Sequence, residues 1–247
     1  MRLSGKNIVV TGGNGLLGRA IVNDLCNNGA NVIVVEINVK TDESKGIYNC
    51  DITNELELEN IISQITNRYN GKIDGLVNNA YPRTLDWGNK FEDVSIESWK
   101  KNVDMQLNSC FSITQKILKV MKNNLSGSIV NVASIYGVVG NDFTIYENTN
   151  GMTSPAAYSA IKGGVINFTK YLASYFGKYG IRVNAVSPGG IFNNQNKTFV
   201  KQFEYKVPLK RMAKPEEIAP SITFLLTDES TYITGHNLIV DGGWTSI

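Results

Sequence analysis

Short apolar runs alternate with longer amphipathic stretches along most of the chain. Segments 7–10, 31–35, 73–77, 129–132 and 182–186 are compact and rich in Val and Ile, which predicts strands. Residues 16–28 place Leu17, Ile21, Val22 and Leu25 on one helical face, with Gly29 as a stop signal. Further helices are expected near 55–69, 95–123 and 155–177. The strand segments are apolar throughout instead of alternating, so both faces of the sheet should be covered and its strands parallel. Strand–helix alternation with short connections predicts an α/β fold: a Rossmann-type, doubly wound parallel sheet, three-layer α/β/α, as a single domain over 1–247. Two polar and aromatic stretches, 136–155 and 190–206, break the rhythm and are expected as loops. Both follow the carboxyl end of a strand, the edge where open α/β sheets hold ligands.

Composition narrows the function. With 24 basic and 22 acidic residues the net charge is +2, which gives no electrostatic case for nucleic acid or an anionic membrane. No apolar run is long enough to span a bilayer, and the opening MRLSGKNIVVTGG has no signal-peptide core, so a cytoplasmic location is expected. Cys26, Cys50 and Cys110 lie far apart, and His236 is the single histidine. This is no metal-ligand spacing; it reads as reduced thiols.

Residues 11–18 read TGGNGLLG, between the first strand and the first helix. Gly12, Gly15 and Gly18 would let the backbone turn and approach a pyrophosphate, with Asn14, Leu16 and Leu17 beside it at the helix N-terminus. A plain structural turn is the alternative, and the strand–turn–helix context favours the nucleotide. Glu36 ends the second strand, 18 residues past Gly18. A carboxylate there accepts from ribose hydroxyls and repels a 2′-phosphate, favouring NAD as the cofactor; a solvated strand end is the bland alternative. Arg19 in the first helical turn keeps some NADP tolerance open. Tyr158 and Lys162 share a helical face at i, i+4. A neighbouring ammonium would lower the phenol from its ordinary pKa of about 10 towards the working range.

With TGGNGLLG, CDIT (50–53), VNNA (77–80), IVNVAS (129–134), YSAIK (158–162), RVNAVSPGG (182–190) and TGHNLIVDGGW (234–244), the chain resembles the short-chain dehydrogenase/reductase family over essentially its whole length. The resemblance implies that Asp51 and Ile52 contact the adenine, and that Asn78 and Ala80 line the cofactor path and steady the central strands. It implies that Ser134 polarises the substrate oxygen, Tyr158 transfers the proton, and Lys162 holds the nicotinamide ribose. Pro188, Gly189 and Ile191 would wrap the nicotinamide end. It also implies a homodimer or homotetramer through helices 95–123 and 155–177 and the C-terminal strand.

Four departures matter. Leu16 stands where the usual spacing has a glycine, a pattern shared with sugar-nucleotide epimerases and dehydratases. Alignment on Trp99 and Phe111 puts Gln106 at the asparagine that holds a relay water, and the added methylene leaves that role open. Tyr81 follows NNA where glycine is usual, either to shape the substrate pocket or to pack. Ser134 and Tyr158 are 24 residues apart, roughly ten more than the family's usual spacing. The inserted stretch carries Asp142, Tyr146, Glu147, Asn148 and Asn150, which suit either a hydroxyl-rich ligand or a surface and subunit contact. Together these features resemble the bacterial flagellin-modification and surface-sugar branch. The expected function is NAD-dependent hydride transfer on a small polar molecule, with sugar-like compounds among the candidates. An NAD-retaining epimerase or dehydratase and a non-catalytic dinucleotide-binding protein are the alternatives.

Overall fold

The computed structural model describes residues 1–247. Its centre is a seven-stranded sheet: β1 (Asn7–Thr11), β2 (Asn31–Glu36), β3 (Ile47–Asn49), β4 (Gly75–Asn78), β5 (Gly127–Val132), β6 (Ile181–Pro188) and β7 (Asn237–Val240). The order is β3-β2-β1-β4-β5-β6-β7 and every neighbouring pair is parallel. The order reverses between β1 and β4, which opens a crevice at the carboxyl ends of those strands.

The continuous apolar runs are explained by burial on both sides. Val9, Ile33, Val35, Leu76, Ile129 and Val183 pack into one core with side chains of α2 (Glu55–Arg68), α4 (Ser109–Asn124) and α5 (Ala156–Phe176). Ile8, Val10, Val77, Val130 and Val186 point the other way, against α1 (Leu16–Asn27) and α7 (Pro215–Leu226). Each face therefore removes its apolar surface from water through a helical layer. No helix is long and apolar enough to cross a membrane.

Two expectations are corrected. The helix expected near 95–123 is interrupted: α3 (Ile96–Val103) passes through a π turn at Asp104–Asn108 before α4 begins. The wider turn coincides with a side-chain bond from Ser109 Oγ to the Met105 carbonyl (2.6 Å), and no Pro or Gly announces it. The expected loop 190–206 ends in α6 (Lys197–Lys206). Asn196 caps it by accepting from the Thr198 and Phe199 amides, and Phe199 and Phe203, four apart, are buried. They join Ile135, Ile145, Val207, Met212 and Trp244 in a third apolar cluster, apart from the two that sandwich the sheet.

Candidate active site

The Gly-rich turn binds its shape through close contacts. A Cβ on Gly18 would lie 2.0 Å from the Gly12 carbonyl oxygen, and Gly12 itself has φ +67 with its Cα facing the Ala80 backbone. Asn79 clamps the turn, donating from Nδ2 to the carbonyls of Thr11 (3.1 Å) and Gly12 (2.9 Å). Gly15 is the N-cap of α1 and offers no side-chain acceptor, and the first turn holds no acidic residue. The positive end of the helix therefore opens on the cleft with its first N–H groups uncapped, a fit for a pyrophosphate.

The cleft measures about 690 Å³. Of the residues expected in it, Gly12, Gly15, Leu16, Leu17, Glu36, Asp51, Ile52, Ala80, Tyr158, Lys162, Pro188, Gly189 and Ile191 line its wall. Four do not. The exposed Asn14 acts through its backbone: its amide donates to Glu36 Oε2 (3.0 Å) and its carbonyl accepts from Arg19 (2.6 Å). Asn78 is buried beneath the cleft, donating to Thr114 and Asn131 (2.8 Å each), so it steadies the strands without lining the path. Gln106 lies in a separate small cavity of about 20 Å³ that Lys162 and Asn78 also border, and neither polar atom of its amide has a protein partner. Ser134 is buried beside Tyr158 and accepts from the Tyr136 amide (3.2 Å).

Glu36 is fixed as well as placed. Its second oxygen accepts from the Ile37 amide (3.0 Å), so both carboxylate oxygens are oriented at the mouth of the cleft. At the other end, Lys162 donates from Nζ to the Val132 carbonyl (2.8 Å).

A family model described as enoyl-(acyl carrier protein) reductase matches residues 14–245. The chain is a short-chain dehydrogenase/reductase. It is 34% identical over 255 residues to the post-translational flagellin modification protein A of Campylobacter coli, covering 98% of this chain and 99% of that one. It is 33% identical over 258 residues to a 3-oxoacyl-(acyl-carrier-protein) reductase of Thermotoga maritima, covering 98% and 99%. A crystal structure of a short chain dehydrogenase from Leptospira borgpetersenii serovar Hardjo-bovis with bound NAD+ superposes with a TM-score of 0.89 at 36% identity, covering 99% of this chain and 94% of that one.

In this dehydrogenase/reductase the phenol is not acidic as the helical spacing leads one to expect. Surrounding protein pushes the Tyr158 pKa up by desolvation, and the Ser134 side chain beside it only partly opposes that. Burial lowers Lys162 to about 8. The ammonium stands 5.7 Å from the Tyr158 ring centre, tied to a carbonyl, so in the free enzyme desolvation outweighs its attraction.

Sequence reasoning left out several wall residues: Asn79, Pro82, Arg83, Asn193 and Gln195. Tyr81, flagged as unusual, both packs and shapes the pocket. Its ring meets Tyr158 edge-on at 5.6 Å and Trp87 at 5.8 Å. The inserted stretch docks instead of projecting into the cleft. Ile145 is buried, Asp142 pairs with Lys206, Asn141 bonds Ser154 and Ser159, and Gln202 donates to the carbonyls of Ile145 and Glu147.

Proposed function

We propose that this enzyme is an NAD-dependent oxidoreductase acting on the carbonyl or hydroxyl carbon of a small polar substrate. One arrangement carries the reading: a half-buried tyrosine with Ser134 and Lys162 at one end of a cleft, and an uncapped helix N-terminus beside an oriented Glu36 at the other. Backbone amides of the Gly12–Gly15 turn and of Leu16 and Leu17 would receive the pyrophosphate. Glu36 would accept from the adenosine ribose hydroxyls, and Asp51 and Ile52 would flank the adenine. Ala80, Pro188, Gly189 and Ile191 would border the nicotinamide half, and Lys162 its ribose. The bound dinucleotide supplies or takes the hydride. Tyr158 gives its hydroxyl proton to the substrate oxygen in reduction and takes it back in oxidation. Ser134 donates to the same oxygen as negative charge develops. Gln106 and Lys162 border one small cavity, and the unpartnered glutamine amide there suits a water supplying that proton.

NAD is favoured over NADP because the Glu36 carboxylate is held in place by two backbone amides and would meet a 2′-phosphate directly. Arg19 is committed to the Asn14 carbonyl. Asn141 and Asp142 of the insertion are engaged with α5 and α6, so this part of the insertion supports the wall of the substrate site. Free cysteines suit a reducing cytoplasm. We also propose a homodimer or homotetramer: Phe111, Tyr171 and Tyr175, at 48%, 61% and 52% exposed, flank a groove between α4 and α5 that a second copy would cover. Light scattering should give a multiple of the 27.2 kDa chain, and a monomer would refute that part.

The decisive experiment follows nicotinamide absorbance with NADH and NADPH against a panel of oxo compounds, and with NAD+ and NADP+ against the matching hydroxy compounds. Turnover with NADH well above NADPH is expected. Product formation without net change in absorbance would point to an epimerase, and equal use of NADPH would remove the assignment to Glu36.

A further inference from the structure

The reactive half of the cleft is positively charged and unbalanced. Around Tyr158 its wall carries Tyr81, Arg83 and Lys162, and no carboxylate. The two acids on the cleft wall, Glu36 and Asp51, lie at the end of β2 and just past β3. In sheet order β2 is three strands from β5, where Lys162 is anchored, a separation of roughly 14 Å.

Arg83 is a cleft cation without an acidic partner. None of the molecule's ion pairs uses it. The neighbouring acid, Asp86, is occupied by the Ser98 hydroxyl (2.9 Å). The guanidinium carbon stands 5.6 Å from the centre of the Tyr81 ring, and that ring packs on Tyr158 at 5.6 Å. The aromatic stack therefore links the guanidinium to the proton-transferring phenol, and it limits the freedom that an exposed arginine otherwise has. The pyrophosphate already has its receptor at the uncapped end of α1, so this cation is surplus to cofactor binding.

Resting on the hydride-transfer reading, we propose that Arg83 anchors a carboxylate on the substrate, so that the enzyme acts on small oxo and hydroxy acids. The planar guanidinium offers a two-pronged donor that matches a carboxylate, and the acid-free surroundings leave that charge uncompensated until substrate arrives. The reacting carbon would sit at Tyr158 and the carboxylate a few carbons away, beyond the Tyr81 ring.

The test uses straight-chain oxo acids of increasing length, from 3-oxobutanoate to 4-oxopentanoate, each paired with its methyl ester. Binding is read by calorimetry on the enzyme saturated with NAD+, and turnover separately by NADH oxidation. For at least one length the acid should bind about tenfold or more tightly than its ester. Arg83→Gln should bring that ratio close to one and raise KM far more than it lowers kcat. Arg83→Lys should keep part of the preference, and NAD+ affinity should stay within about twofold in both variants. No preference for the acid at any length overturns the proposal, as does a preference that survives in Arg83→Gln. Loss of NAD+ affinity in Arg83→Gln with an unchanged acid-to-ester ratio also overturns it, assigning the guanidinium to the cofactor. Because binding and hydride transfer are measured apart, Arg83-dependent acid binding without NADH oxidation would keep the carboxylate anchor and overturn the redox reading, and with it the assignment of these acids as substrates.

Discussion

Lys162 Nζ donates to the Val132 carbonyl at the end of β5 and stands 5.7 Å from the ring centres of both Tyr81 and Tyr158. A strand end thus holds the ammonium under two aromatic faces, in a position that costs it solvation and lowers its pKa to about 8.

That cost should be visible in stability against pH. Lys162 has a folded value near 8, below the 10.5 of an unperturbed lysine, so between these values the unfolded chain binds the extra proton. The Lys162 contribution should therefore raise stability as pH climbs past about 8, relieving a penalty present at lower pH. From about pH 9 the Cys50 and Cys110 thiols, pushed up to about 12 and 11, and at higher pH Tyr81, Tyr136 and Tyr158, all raised by burial, hold protons that the unfolded chain loses, and the trend should reverse. Urea unfolding across this range tests it. Lys162→Met should flatten the rise, and an unchanged slope in that variant would place the titration elsewhere.

Tyr158→Phe removes the hydroxyl and leaves the edge-on packing against Tyr81 and Trp87 in place. Hydride transfer should fall by about a thousandfold, within the range of a lost general acid, while NAD+ affinity changes less than about twofold. Stopped-flow turnover and calorimetry give the two numbers. Residual activity near the parent's would take the phenol out of the reaction.

Glu36→Ala should weaken NAD+ by about tenfold, or 1.4 kcal/mol, and largely erase discrimination against NADP+. Part of the effect comes from the turn itself, since the Asn14 amide loses its acceptor. Side-by-side titrations with both dinucleotides separate these contributions: loss of the turn weakens both, loss of the ribose contact weakens only NAD+.

Gly137 packs against the helix that carries the catalytic pair. A Cβ there would meet the Lys162 carbonyl carbon at 2.6 Å and its oxygen at 2.8 Å, both backbone atoms. Gly137→Ala should cost about 1–3 kcal/mol of stability by overpacking and displace Ser134 relative to Tyr158. The expected signature is a fall in kcat larger than any change in NAD+ affinity; an unaffected Tm would show that the turn yields freely.

Much of the framework was legible because strand and helix periods are properties of local sequence. The five anticipated strands, the nucleotide turn and the Tyr158–Lys162 pair all lie where their patterns placed them. The π turn at Asp104–Asn108 was not, since an extra residue in a helical turn leaves the apolar pattern nearly intact. α6 was hidden by polar neighbours of Phe199 and Phe203, whose burial depends on Ile145 and Trp244 arriving from elsewhere in the chain. Arg83 and Asn79 carry no periodic signal; only the folded loop after β4 brings them to the cleft. Tyr158 shows the limit of reading a pKa from spacing, because desolvation is a property of the whole surroundings.

The third apolar cluster has a consequence for how such an enzyme changes over generations. Ile135, Ile145, Phe199, Phe203 and Trp244 share no cluster with the residues that flank the sheet. Substitutions in that cluster can therefore repack the segment beside Gly190, which Phe203 and Met212 approach, without entering either layer that flanks the sheet. A lineage has there a region free to drift while it inherits the sheet and its two helical layers unaltered.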